Sequence, residues 1–194
     1  MNLPNKISLA RICMIPVFML LITPLPYWLI NVWSVFKDAN DFINGYGIYI
    51  AAGVFFLASV TDSIDGYLAR KHNQITNLGI FLDPIADKLL VTASLIALCC
   101  RGLISSWIAV IIIGREFIVT GLRLVAAGEG KVISAARSGK LKMVIQITVL
   151  LITLIINSQG NLWVIICQWI MIAVTIYSGL DYFIKNRHIL KGIK

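Results

Sequence analysis

At 194 residues the chain is 59% hydrophobic and only 13% charged, a composition that excludes an ordinary soluble domain and leaves no disordered tail. The net charge is +8, yet the bases are spread over the joints between apolar stretches rather than gathered with interleaved aromatics, which excludes nucleic acid as the expected partner. Apolar stretches near the roughly 20 residues that a hydrocarbon core demands recur at about 10–35, 46–68, 80–100, 104–127, 141–157 and 162–184. The expected fold is all-α: a single polytopic domain over residues 1–194, with six transmembrane helices and a short N-terminal interfacial segment.

That interfacial segment is the opening Asn2-Leu3-Pro4-Asn5 with Lys6, Ser8 and Arg11, read as a surface-lying lead-in to the first span. A base-flanked apolar opening resembles a secretory signal. Pro16, Pro24 and Pro26 interrupt the run, no small-residue cleavage site follows, and further spans come after it, so it is expected to be retained. Basic residues then alternate by membrane end. Arg70 and Lys71 follow the second span, Lys131, Arg137, Lys140 and Lys142 surround the fourth-to-fifth joint, and Lys185, Arg187, Lys191 and Lys194 close the chain. The opposite joints contribute only Lys37 and Arg101. By the positive-inside rule, both termini and the joint after span two face the cytoplasm.

The stretch Thr61 to Lys88 places four aspartates in otherwise apolar, helix-patterned sequence. Its chemistry reduces to D-x-x-D-G-x-x-A-R, eight residues, then G-x-x-x-D-x-x-x-D: Asp62, Asp65, Gly66, Ala69, Arg70, Gly79, Asp83 and Asp87. Asp62 and Asp65 stand three apart and Asp83 and Asp87 four apart, so each pair projects from one face of its own helix. A reversal at the polar Lys71-His72-Asn73-Gln74 would converge all four carboxylates. Like charges in a low-dielectric space disfavour one another's ionised form, so a converged set calls for compensating cations. All-oxygen donors favour Mg²⁺, Mn²⁺ or Ca²⁺ over Zn²⁺, and four carboxylates suit two ions. Gly66 and Gly79 leave room beside the acids for a bulky ligand to approach the backbone. The plainer alternative is helix capping or surface pairing with lysines, which explains one aspartate better than four at two helical spacings.

Pro84 directly follows Asp83 and fits an early helical position, where a lost N–H costs little. Cys13, Cys99, Cys100 and Cys167 lie in apolar segments without metal-ligand spacing and read as small hydrophobes. His72 and His188 are isolated in basic interfacial segments. Trp28, Trp33, Trp107, Trp163 and Trp169 mostly mark the outer ends of spans.

The fourth span carries a second anomaly, Gly114-Arg115-Glu116-Phe117 followed by Gly121-Leu122-Arg123, and Ser138-Gly139-Lys140-Leu141-Lys142 stands across the next joint. Pairing of Arg115 with Glu116 is not expected, because adjacent helical residues project about 100° apart. Arg115, Arg123 and Lys140 together form a candidate phosphate pocket, arginine supplying a planar donor fork and lysine a point charge. Lys142 reads equally well as an ordinary cytoplasmic-side base. Asp181, close to Lys185, is expected to form a structural ion pair.

A four-carboxylate metal site beside a basic pocket, reached from both lipid and cytosol, suits phosphoryl transfer between a lipid pyrophosphate and a polar alcohol. The Asp62-to-Asp87 pattern, including its gap of eight, resembles the signature of the CDP-alcohol phosphotransferase family at every defining position. The opening Asn2-Leu3-Pro4-Asn5 with Arg11, Arg115-Glu116-Phe117, Thr120 to Arg123 and Gly139 to Lys142 carry the likeness through the chain.

The resemblance implies a homodimeric enzyme of the bacterial cytoplasmic membrane, with the site on the cytoplasmic side. It implies transfer of a phosphatidyl group from CDP-diacylglycerol to sn-glycerol 3-phosphate with two divalent cations, Mg²⁺ or Mn²⁺. It assigns Asp62, Asp65, Asp83 and Asp87 to metal, and Asp87 to general base, with Asp83 beside it in the reacting centre. Gly66, Ala69, Arg70 and Gly79, assisted by Thr61 and Asn5, would take the cytidine diphosphate. Arg115, Arg123 and Lys140 would hold the acceptor phosphate. The alternatives are the same chemistry on inositol phosphate, serine or phosphatidylglycerol, and a cation transporter that uses the acids as an ion path.

Overall fold

The computed structural model describes the backbone of residues 3–26, 34–72, 77–128 and 137–190, and the side chains of 9–26, 36–61, 85–128 and 138–187. Every regular element among them is helical: α1 (Leu3–Ile22), α2 (Ser34–Phe42), a π-helical turn (Ile43–Gly47), α3 (Ile48–His72), α4 (Asn77–Cys100), α5 (Ser106–Gly128), α6 (Arg137–Ile156) and α7 (Leu162–Leu190). Three stretches among the described residues are long and apolar enough to cross a membrane: Phe36–Thr61, Ser138–Ile156 and Leu162–Arg187. The helices α4 and α5 coincide in position with the third and fourth expected spans. Large apolar side chains such as Phe56, Leu57, Leu124 and Ile184 stand exposed on the helix faces, an arrangement suited to lipid and costly in water.

The first expected span needs correction. Its helix starts at Leu3, so the lead-in is continuous with it, and it stops at Ile22 rather than near residue 35. The chain is irregular over Pro24–Pro26, where each proline withholds an N–H and disfavours helix in the residue before it. From Ser34 the described backbone is helical through α2 and the π-helical turn into α3, and the apolar stretch Phe36–Thr61 begins earlier than the second expected span.

Packing divides the chain into two compact units. In the first, Met1–Leu103 with Leu151–Gln159, α1 packs against both α3 and α4, the two aspartate-bearing helices. Phe18 meets Phe55 with ring centroids 6.1 Å apart, and Ala51, Ala58 and Ala86 are buried where small side chains let helices approach. Gly47 is required here: a Cβ at that position would lie 2.2 Å from the Leu21 carbonyl oxygen. Arg101 fastens the far end of this unit. Its Nε donates to the Ile22 carbonyl at 2.6 Å and its Nη2 to the Ile43 carbonyl at 3.0 Å, satisfying a C-terminal carbonyl of α1 and one in the π-helical turn. Gln159 Nε2 in turn donates to the Arg101 carbonyl at 2.8 Å, beside Gly102, whose φ of +68° favours glycine.

The second unit, Ile104–Leu150 with Gly160–Lys194, has α5 packed against α7 around Ile112, Val119, Met171 and Ile172. Asn161 caps α7, its Oδ1 accepting from the Trp163 N–H at 3.0 Å. Trp107, Trp163 and Trp169 are exposed, the first two in the opening turns of α5 and α7.

Candidate active site

The first unit carries the acids. Asp62 and Asp65 lie on α3 and Asp83 and Asp87 on α4, all on helical backbone, so the spacings place each pair on one helix face as expected. Asp62 is ten residues before His72 and Asp87 ten after Asn77, each about 15 Å along its helix at 1.5 Å per residue. Asp65 and Asp83, seven and six residues from those ends, are matched in the same way. The two pairs thus lie at similar distances along their helices from His72 and Asn77.

Of the four side chains, that of Asp87 is described: it is half-buried, beside fully buried Ala86 and one turn from buried Leu90. A carboxylate in such surroundings, presented with oxygen donors only, suits a hard divalent cation. The side chains of Asp62, Asp65 and Asp83, and those of Arg70 and Ala69, lie outside the described residues, as do the surroundings of Gly66 and Gly79. Asn5 belongs to α1, and its side chain also lies outside them. Thr61 is half-buried, and its Oγ1 donates to the Leu57 carbonyl at 2.6 Å, which commits the hydroxyl proton to its own helix and leaves the oxygen to accept.

The second unit carries the bases, and here one expectation is overturned. Arg115 does pair with Glu116: its Nη1 lies 3.1 Å from Oε1. The helical angle separates their Cβ directions, but two long side chains bend back across it. The guanidinium also donates from Nη2 to Ser178 Oγ on α7 at 2.7 Å. Gly179 lets the arginine stem lie close, since a Cβ there would stand 3.4 Å from Arg115 Cγ. Lys142 on α6 pairs with the same Glu116 oxygen and is only 6% exposed, so its place is inside the helix packing and not among solvated bases. Glu116 thereby carries a cation from its own helix and one from α6.

The other two members of the trio differ from Arg115. The Arg123 guanidinium sits over the Tyr182 ring, 5.4 Å from its centroid. Lys140 is exposed in the first turn of α6. Asp181 pairs with Lys185 at 2.8 Å, as expected, and also accepts from Ser138 Oγ at 2.5 Å, joining α7 to α6.

The sequence profile described as CDP-alcohol phosphatidyltransferase matches residues 1–177. The chain belongs to the CDP-alcohol phosphatidyltransferase family. It is 43% identical over 194 residues to a Bacillus subtilis protein named CDP-diacylglycerol–glycerol-3-phosphate 3-phosphatidyltransferase, covering 98% of this chain and 97% of the relative. A Rickettsia typhi protein of the same name is 38% identical over 188 residues, 94% of this chain and 95% of the relative. A Mycobacterium tuberculosis protein named probable phosphatidylglycerophosphate synthase is 33% identical, covering all of this chain and 85% of the relative.

The CDP-alcohol phosphatidyltransferase family uses divalent cations, in keeping with the oxygen-only donor set on α3 and α4. Four members of this phosphatidyltransferase's polar interior were not singled out for a site in the sequence: Glu116, Lys142, Ser178 and Tyr182. Helical spacing alone held one signal for two of them. Ser178 and Tyr182 are four apart and so share the face of α7 that meets Arg115 and Arg123.

Proposed function

We propose that this CDP-alcohol phosphatidyltransferase transfers the phosphatidyl group of CDP-diacylglycerol to sn-glycerol 3-phosphate, releasing CMP and phosphatidylglycerophosphate. The identity to same-named enzymes over nearly the whole of both chains carries the reading, and the two acid pairs and separate basic cluster supply suitable chemistry for it. One domain over residues 1–194, six transmembrane helices and a homodimer in the bacterial cytoplasmic membrane complete the proposal, together with a cytoplasm-facing site, which the distribution of bases along the sequence supports.

Asp62, Asp65, Asp83 and Asp87 would hold two Mg²⁺ or Mn²⁺ ions, which when bound neutralise the pyrophosphate charge. Asp87 takes the proton of the glycerol 3-phosphate hydroxyl. The hydroxyl oxygen forms its bond to the phosphorus that carries diacylglycerol, the pyrophosphate P–O bond breaks, and CMP leaves with that electron pair. Asp83 stands one helical turn before Asp87 and shares its face. Gly66, Ala69 and Gly79 leave space for the nucleotide, Arg70 meets its phosphate, and Asn5 and the Thr61 oxygen assist. Arg115, Arg123 and Lys140 supply the positive charge for the acceptor phosphate, Arg123 and Lys140 as direct donors and Arg115 from within its network with Glu116 and Ser178.

The test is CMP release from CDP-diacylglycerol by purified protein in detergent, with Mg²⁺ or Mn²⁺, comparing glycerol 3-phosphate with inositol phosphate, serine and phosphatidylglycerol. Metal-dependent release with glycerol 3-phosphate alone is expected. Release with another acceptor instead would overturn the assignment of the basic residues, and no release from folded protein would overturn the reaction.

A further inference from the structure

Two independent features of Tyr182 point the same way. The residue is 2% exposed, and its hydroxyl has no hydrogen-bond partner among the described residues. A buried phenol normally finds a partner, because leaving the hydroxyl unpaired forfeits its hydration without return. Its neighbours on α7 show no such deficit: Ser178 accepts from Arg115, and Asp181 accepts from Ser138 and Lys185. The second feature is the Arg123 guanidinium, stacked over the Tyr182 ring with no hydrogen bond or ion pair among the described residues. A cation–π contact of this kind holds the guanidinium against the ring without using its N–H donors, which can then meet an anion. The unpartnered hydroxyl and the guanidinium thus belong to one contact between α5 and α7, a donor and a cation side by side.

We propose that Tyr182 is a substrate-binding residue for the phosphate of the acceptor: its ring carries Arg123, and its hydroxyl donates to the same anion. The inference rests on the assignment of Arg123 to the acceptor phosphate and extends it to a residue on α7. It also gives the bound state a source of specificity, since an acceptor without a phosphate leaves both the hydroxyl and the guanidinium unpaired.

The deciding experiment measures KM for glycerol 3-phosphate and for CDP-diacylglycerol, kcat, and inhibition by inorganic phosphate, in the full chain and in Tyr182→Phe, Tyr182→Leu and Arg123→Gln. Tyr182→Phe keeps the ring and its packing and removes only the oxygen. It is expected to raise the glycerol 3-phosphate KM about tenfold and to weaken phosphate inhibition in parallel, with kcat and the CDP-diacylglycerol KM within about twofold of the parent. Tyr182→Leu, which also removes the platform, is expected to raise the acceptor KM further. A rise in acceptor KM for Arg123→Gln with none for Tyr182→Phe would overturn the role of Tyr182 and leave the Arg123 assignment standing. An unchanged acceptor KM in Arg123→Gln would overturn the assignment beneath it. Equal losses for both substrates in Tyr182→Phe would make the residue structural and overturn the proposal.

Discussion

Lys142 on α6 donates its ammonium to Glu116 on α5, and the same carboxylate oxygen takes Arg115 from its own helix. One acid thus serves as the shared counter-charge of two cations inside an apolar helix bundle, where an unpaired charge is far costlier than on a surface. Glu116→Gln leaves both cations without their counter-charge, so it should destabilise the protein by about 3 kcal/mol. Thermal unfolding in detergent checks this. Combining it with Lys142→Met should recover part of the loss, because the double change removes the charge as well as its partner.

Arg101 illustrates a different kind of dependence. Its guanidinium serves two backbone carbonyls, Ile22 and Ile43, that side-chain packing alone cannot satisfy. Partial burial holds its pKa below the ordinary arginine value, yet the side chain remains the donor in both bonds. Arg101→Ala should lower stability by about 2 kcal/mol, in the range of hydrogen bonds from charged groups. The residue directly follows α4, fourteen positions past Asp87, about 21 Å at the helical rise. Turnover measured well below the unfolding temperature should therefore be nearly unchanged, and a loss of kcat without a loss of stability would contradict this account.

The positions of the acids along α3 and α4 were legible in the sequence because they depend only on helical rise and on where the helical pattern ends. Asp62 and Asp65, Asp83 and Asp87 fall where three- and four-residue spacings put them. The pairing of Arg115 with Glu116 was not legible, because periodicity reports where Cβ atoms project and not how far two long, flexible side chains swing. Lys142 was obscure for a related reason: a base near a membrane end serves the positive-inside bias equally well solvated or buried, and only packing separates the two. Tyr182 sits in an apolar helix where its one signal is the four-residue spacing from Ser178, too common a pattern to mark an aromatic residue out. The end of α1 at Ile22 was foreshadowed by Pro24 and Pro26, but apolarity continues past them and masks the break.

Asp87 as the base predicts a separation of binding from chemistry. Asp87→Asn keeps the size of the side chain and removes its capacity to take a proton, so CMP release should fall at least about a thousandfold, within the range of general-base contributions. Binding of CDP-diacylglycerol, followed by equilibrium titration with Mg²⁺ present, should persist within about tenfold. Near-normal turnover in this variant would exclude the assignment.

Removal of divalent cations gives a complementary outcome. On the proposed assignment of the four carboxylates to two ions, stripping the ions should leave the acids repelling one another, abolish CMP release and lower the unfolding temperature. Mg²⁺ or Mn²⁺ added back should restore both. In Asp87→Asn the thermal loss on chelation should be smaller than in the parent, since one repelling charge is gone.

The three bases proposed for the acceptor phosphate should respond differently because their surroundings differ. Lys140 is exposed, so Lys140→Ala should leave the unfolding temperature within about 1 °C, as surface substitutions away from packed networks usually do. Its effect should appear in the glycerol 3-phosphate KM, raised about tenfold with CDP-diacylglycerol affinity retained. Arg115 is tied to Glu116 and Ser178, so Arg115→Ala removes both bonds and leaves Glu116 with Lys142 from the described pair. That variant should lose stability as well as acceptor affinity. Steady-state kinetics in both substrates, run beside thermal unfolding, separates the two patterns: a selective loss of CDP-diacylglycerol affinity in Lys140→Ala would remove that lysine from the acceptor pocket, and an unfolding temperature unchanged in Arg115→Ala would show that its two hydrogen bonds contribute nothing net to the fold.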